Sequence, residues 1–165
     1  MISFLNKIKF HLKAVNQHGV HSPFVFMYLT RCLYLKPKKS TRVTEDVLLK
    51  SIAYFNSRTI NIIGNEALES KVKSHFSQIN FSNEKLDVLY LESISYLQNL
   101  ASLEKFKLHN NSVILINGIH TKKLAKIKWE ELINIAKFTV TIDFYYCGAL
   151  FIRREQDKEH FKIRL

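Results

Sequence analysis

Ser112-Val113-Ile114-Leu115-Ile116-Asn117-Gly118 is the stretch whose reading decides the fold. Its apolar run leaves no polar face, so a strand built from it is buried on both sides. That is the pattern of a parallel sheet covered by helices on each face. Asn117-Gly118 is a turn pair that ends it. Two similar runs come earlier. Leu86-Asp87-Val88-Leu89-Tyr90-Leu91 is strongly apolar and ends at Glu92-Ser93, and Thr59-Ile60-Asn61-Ile62-Ile63 is β-branched and ends at Gly64. Ile79-Asn80-Phe81 reads as a strand fragment. Helical spacing fills the intervals: Leu68, Val72 and Phe76 within 65–76, Leu97, Leu100, Leu103 and Phe106 within 94–107, and Leu124, Ile127, Leu132 and Ile133 within 122–136. Asn110-Asn111 is expected to turn the chain before the strand at 112. Residues 138–142 alternate, 149–152 follow Gly148 as an antiparallel partner, and 160–165 alternate again as a final strand. Strand–helix alternation of this kind predicts an α/β fold, a doubly wound and mainly parallel sheet with a closing antiparallel hairpin.

Before residue 59 the signals are helical. Ile2, Leu5, Ile8, Leu12 and Val15 recur three and four apart, predicting an amphipathic helix over 2–15 whose stripe packs on the domain. The alternative for such a basic helix is an anionic membrane surface. Ser22 suits an N-cap and Pro23 the first helical position of a second helix, which runs to about residue 35. His18, Gly19 and His21 before it read as a turn, with the imidazoles bonding backbone groups. Thr44-Glu45-Asp46 places acids in the first turn of a third helix that continues through Val47 to Phe55. The chain thus divides into a basic helical N-terminal extension, 1–43, and an α/β domain, 44–165.

Charge follows the same division. The chain carries 25 Lys and Arg against 14 Asp and Glu, a formal net charge of +11. Residues 1–44 hold eight of the basic residues and no Asp or Glu. Such a block suits weak binding to an anionic surface, either nucleic acid or membrane. Four glycines, all far apart, exclude a G-x-G-x-x-G loop and a Walker P-loop. Two cysteines exclude a four-thiolate zinc site and a disulfide framework. No 18-residue apolar run exists to form a transmembrane segment. The first fifteen residues mix Lys7, Lys9 and Lys13 into their apolar positions and so do not read as a secretory signal. With unpaired Cys32 and Cys147, this predicts a cytoplasmic protein.

In an open α/β sheet, ligands bind beyond the carboxyl ends of the strands. Here those ends offer Gly64, Asn65 and Glu66, then Glu92, then Asn117 and His120. Glu92 can accept from a ribose or an amine, Asn117 can bond a polar ligand, and His120 can serve as base or ligand. The competing reading is turns and solvated strand ends: Gly64 permits a tight turn, and Asn117-Gly118 is a turn pair. No catalytic residue and no metal ligand set is assigned. Cys147 has no neighbouring cation to activate it, and Phe144, Tyr145 and Tyr146 read as core or an oligomer contact.

Two blocks carry a family resemblance. His18-Gly19-Val20-His21-Ser22-Pro23-Phe24-Val25-Phe26 resembles the N-terminal signature of a group of bacterial S-adenosylmethionine-dependent methyltransferases known from Bacteroidetes. The tail resembles their ending: Val140-Thr141-Ile142-Asp143 through Gly148, then Phe151-Ile152-Arg153-Arg154-Glu155-Gln156, then His160-Phe161-Lys162-Ile163-Arg164. The resemblance implies a Rossmann-like class I methyltransferase fold with a Gly-rich loop after the first strand, a ribose-binding acid after the second, and acids after the fourth and often the fifth. This sequence departs at those points. Its first loop keeps only Gly64, the chain is short by about two strand–helix units before Leu86, Glu92-Ser93 stands where Asp-Gly is expected, and Asn117-Gly118 replaces two acids. The expectation is a truncated frame without cofactor, a pseudoenzyme that binds or scaffolds, with a homodimer or protein partner at the shortened sheet edge. The alternatives are an active small-molecule methyltransferase with a rebuilt S-adenosylmethionine site using Gly64, Asn65, Glu66, Glu92, Asn117 and His120, or a basic module acting through residues 1–44.

Overall fold

The computed structural model describes residues 4–165. The elements in chain order are α1 (Phe4–Lys13), α2 (Pro23–Tyr28), α3 (Val43–Tyr54), β1 (Thr59–Ile63), α4 (Glu66–His75), β2 (Asn80–Phe81), β3 (Leu86–Leu91), β4 (Leu108–Asn117), α5 (Lys123–Asn134), β5 (Val140–Asp143), β6 (Cys147–Phe151) and β7 (Glu159–Lys162). The strands form one sheet in the order β2-β1-β3-β4-β6-β5-β7. All neighbours are parallel except β6, which runs antiparallel to both β4 and β5. The fold is therefore the expected α/β class: a mainly parallel sheet with an antiparallel hairpin near its end. The short β2 occupies the edge beyond β1, and Ser82 N–H continues it by donating to the Ile60 carbonyl at 3.2 Å. Among the described residues no helix is long and apolar enough to cross a membrane.

The central strands alternate between two cores, as a pleated strand must. Val88, Tyr90, Val113 and Leu115 join Val25, Tyr28, Leu48, Ile52, Leu68 and Val72 from α2, α3 and α4. Leu89, Leu91, Ile114 and Ile116 join Ala125, Trp129 and Leu132 of α5 on the other face. Residues 20–33, expected in the N-terminal extension, thus share a core with the sheet. After α2 the helix widens into a π-turn, Leu29–Leu33. Buried Lys50 of α3 ties down the end of that turn, donating to the carbonyls of Leu33 (2.9 Å) and Leu35 (2.8 Å) while pairing with Asp46 at 3.0 Å.

The two blocks that carry the sequence resemblance pack against each other. Ser22 Oγ caps α2 by accepting from Val25 N–H and donates to Gln156 Oε1 at 3.4 Å. Phe24 meets Phe151 edge to face, and the Arg153 guanidinium lies 4.3 Å from the Phe24 ring centre. In front of this junction Asn16 caps a single turn at Gln17–Gly19. The His18 ring contacts the Gln17 side chain, not the expected backbone group.

Several expectations are corrected. Residues 94–107 form two single 3₁₀ turns, Ile94–Tyr96 and Leu100–Leu103, in place of one helix. Short polar side chains take the amides a helix would use: Ser93 Oγ accepts from Ser95 N–H, and Asn99 Oδ1 from Ser102 N–H. Leu97, Leu103 and Phe106 are still buried; the Leu100 side chain lies outside the described residues. Asn110 and Asn111 continue β4 instead of turning. They bind the chain after β6, Asn110 accepting from Arg154 N–H at 2.9 Å and Asn111 from the Arg153 guanidinium at 2.7 Å.

Two helices present a different face from the one expected. Leu5 and Leu12 of α1 are 63% and 81% exposed, and Ile8 is also exposed, whereas Phe10 and Ala14 are buried. Phe10 is drawn onto the rings of Tyr145 and His120. Val15 is half-buried and pairs with Ile163 beside β7. Ile2 lies outside the described residues. On α5 the expected stripe divides: Leu124 and Ile127 are exposed, whereas Leu132 and Ile133 face the core as expected, beside Ala125 and Trp129. The helix rotation is set by Trp129, whose ring lies against Gly148: a Cβ on Gly148 would stand 2.4 Å from the indole. Gly148→Ala is therefore expected to destabilise the fold by about 1–3 kcal/mol through overpacking, read as a lower melting temperature with a shift in the fluorescence of Trp129, the sole tryptophan.

Candidate functional site

The parallel register of β1, β3 and β4 brings three strand ends side by side. Ile63 pairs with Leu91 and Leu91 with Ile116, so Gly64, Glu92 and Asn117 follow at one edge of the sheet. Glu92 N–H donates to the Ile63 carbonyl at 2.9 Å. Its carboxylate is the hub of the site. Oε2 accepts from Tyr90 Oη at 2.6 Å and Asn65 Nδ2 at 2.8 Å. Oε1 accepts from Arg42 at 3.2 Å and Asn117 Nδ2 at 3.2 Å. A carboxylate has roughly four lone-pair positions, and all are used by this chain's own side chains.

Each donor is itself held. Asn65 caps α4 through Oδ1, which accepts from Leu68 N–H at 2.9 Å. Asn117 Oδ1 accepts from Thr44 Oγ1 at 2.7 Å. Arg42 pairs with Glu45 at 2.9 Å, and the other Glu45 oxygen takes Lys71 at 2.9 Å and Ser40 at 2.8 Å. The start of α3 is thereby strapped across the strand ends. Gly64, with φ +85°, is overlain by Tyr96: a Cβ on Gly64 would lie 2.3–2.5 Å from three atoms of the phenol.

The electrostatics follow from these contacts. Burial pushes the Glu92 carboxyl up, but the hydrogen bonds from Tyr90, Asn65 and Arg42, together with the Arg42 charge, outweigh it and hold the group below the usual carboxylate range. Glu45 behaves alike: burial raises it, and the bonds and charges of Lys71, Ser40 and Arg42 bring it below its ordinary value. Burial pushes the Tyr90 phenol far up, so it acts as a donor at every physiological pH. The Cys147 thiol, buried at the end of β6, is pushed up to about 12 by burial.

The expected site residues thus divide. Gly64, Asn65, Glu92 and Asn117 come together. Glu66 is exposed in the first turn of α4 and has no part in the hub. His120 belongs to a separate constellation. Its Nε2 is 2.7 Å from Asp143 Oδ2, and its ring stacks on Tyr145. Asp143 is buried and also accepts from Tyr145 N–H at 2.7 Å, in a turn where Tyr145 has φ +71°. A cleft of about 450 Å³, lined by residues including Thr44, Asn117, His120 and Tyr146, lies between hub and dyad.

Arg42, Tyr90 and Tyr96 were not expected from the sequence. Tyr90 had a legible signal, lying two residues before Glu92 on the same strand and so on the same face. Arg42 and Tyr96 reach the strand ends from distant segments. Among the described residues no group of three His, Cys, Asp or Glu side chains could hold a metal ion. No family model, curated protein or solved structure matches the chain.

The hub gives stability a pH dependence of definite sign. A carboxyl held low in the folded state stabilises fully above its unfolded value, near 4.5, and loses that contribution as pH falls through the folded value. Glu92→Gln is expected to lose about 1–3 kcal/mol at pH 7, seen as a lower melting temperature, with the gap to wild type closing as both are taken towards pH 3.

Proposed function

We propose that this chain is a non-catalytic binding protein built on a Rossmann-like, methyltransferase-type frame, with the place of the cofactor filled by its own side chains. The observation that carries this reading is the saturation of Glu92. A strand-end acid that binds a ribose must keep an oxygen free to accept from the sugar. Here the two oxygens already take Tyr90, Asn65, Arg42 and Asn117. The second support is Tyr96, which covers Gly64, the glycine after β1 where a ligand would approach the backbone. Bound S-adenosylmethionine would have to displace both Tyr96 and Arg42, so these residues do not fit the cofactor and no methyl-transfer step is assigned.

The resemblance blocks fit the same reading. Ser22, Phe24, Arg153 and Gln156 contact one another at a junction between α2 and the end of β6. None of them touches Glu92. What persists is framework, and framework is a poor guide to chemistry. The strap at 42–45 crosses the strand ends at Glu92 and leaves beside it the cleft of about 450 Å³ that Arg42, Thr44 and Asn117 help to line.

Calorimetric titration with S-adenosylmethionine and S-adenosylhomocysteine, backed by thermal melts at millimolar ligand, tests this. No heat and no change in melting temperature are expected. Micromolar binding would overturn the proposal, because a ligand at about 100 times its Kd adds about 2.7 kcal/mol to stability and would be plain in both measurements.

A further inference from the structure

A second cleft, of about 650 Å³, opens between α1 and the start of α5, with His120 and Tyr145 in its wall. It is lined by six lysines: Lys9 and Lys13 from α1, Lys122, Lys123 and Lys126 at the start of α5, and Lys162 from β7. No Asp or Glu lines it among the described residues. Lys126 reaches Glu130 at 3.7 Å on the exposed helix surface; the other five are in no ion pair among the described residues. The placement on α5 is also against the usual rule. The first turn of a helix carries the positive end of the dipole and favours acids. Here that turn has no acid, and Lys122 at the cap makes no capping bond through its side chain. Cations gathered at a positive helix end repel one another and attract anions.

The two helices that bound the cleft also expose apolar side chains. Leu5, Ile8 and Leu12 stand on the side of α1 away from buried Phe10 and Ala14, at 100° per residue. Leu124 and Ile127 are exposed on α5, away from the packed Ala125, Trp129 and Leu132. Neither a duplex nor a free phosphate compound needs these exposed apolar side chains. A bilayer interface needs both parts: apolar side chains that enter the acyl boundary and lysines level with the headgroup phosphates.

We propose that this face docks the protein onto an anionic phospholipid bilayer, with the six lysines on lipid phosphates and the leucine and isoleucine side chains of α1 and α5 in the interface. The site is distinct from the Glu92 hub and holds whether or not S-adenosylmethionine binds there.

Co-sedimentation with vesicles is the test, comparing phosphatidylcholine alone with a 70:30 mixture of phosphatidylcholine and phosphatidylglycerol (proportions of roughly anionic-membrane charge). At least tenfold stronger partitioning into the anionic vesicles is expected, falling with added salt. Two double variants at exposed positions, Leu12→Ser with Leu124→Ser and Lys9→Glu with Lys123→Glu, should each weaken it several-fold while leaving the melting temperature unchanged. Inorganic pyrophosphate and a short DNA duplex serve as competitors, and neither should abolish vesicle binding at physiological salt. Absence of binding to anionic vesicles would overturn the proposal. So would vesicle binding that the leucine variant leaves intact and that pyrophosphate or duplex removes, which would mark a site for free phosphate compounds or nucleic acid.

Discussion

A carboxylate at the end of a buried strand loses much of its water, and the folded chain must replace those hydrogen bonds or leave the charge unpaired. At Glu92 the replacements come from four places: Tyr90 on the same strand, Asn65 at the cap of α4, Asn117 at the end of the neighbouring strand, and Arg42 before α3. Each of these donors also has a structural task of its own. The hub therefore couples the first three parallel strand ends to the first helix layer. It explains why α3 starts where it does, with Thr44 on Asn117 and Glu45 between Arg42 and Lys71.

At the strand ends, where a ligand is expected, Glu92 is engaged by this chain's own side chains, and a cleft of about 450 Å³ lies beside it. To one side, α1 rests on Tyr145 and His120, and six lysines line a second cleft that no Asp or Glu lines among the described residues. The His120–Asp143 pair stands at the boundary, its imidazole fixed by a buried carboxylate on one side and by ring stacking on the other.

The sequence made the strands legible because doubly buried strands have no polar face to hide them. Strand ends followed at once, which is why Gly64, Asn65, Glu92 and Asn117 could be named as neighbours from sequence alone. Helix faces were harder. On α1 the apolar stripe by spacing, Leu5-Ile8-Leu12, is the exposed one, and on α5 the expected stripe divides, with Leu124 and Ile127 exposed and Leu132 and Ile133 on the core. Two large rings decided otherwise, Phe10 seeking Tyr145 and Trp129 seating on Gly148. Those choices depend on tertiary contacts that no local pattern contains. The same holds for Arg42 and Tyr96, which fill the site from segments far along the chain. Between Ser93 and Ser102 a helical spacing of leucines lost to serine and asparagine side chains that take the backbone amides locally. The blocks that resemble methyltransferases were legible as sequence, yet their contacts with one another are framework contacts.

Observing the protonation of Glu92 itself is the most direct check on the hub. Carbon-13 NMR of the glutamate side-chain carboxyls, with Glu92 assigned by comparison with Glu92→Gln, follows its titration in the folded protein. With its oxygens engaged by Tyr90, Asn65, Arg42 and Asn117, Glu92 should stay ionised below the ordinary value of 4.5. Half-protonation at or above that value would mean that the carboxylate is free, the strap at Arg42 is open, and the crevice is available to a ligand.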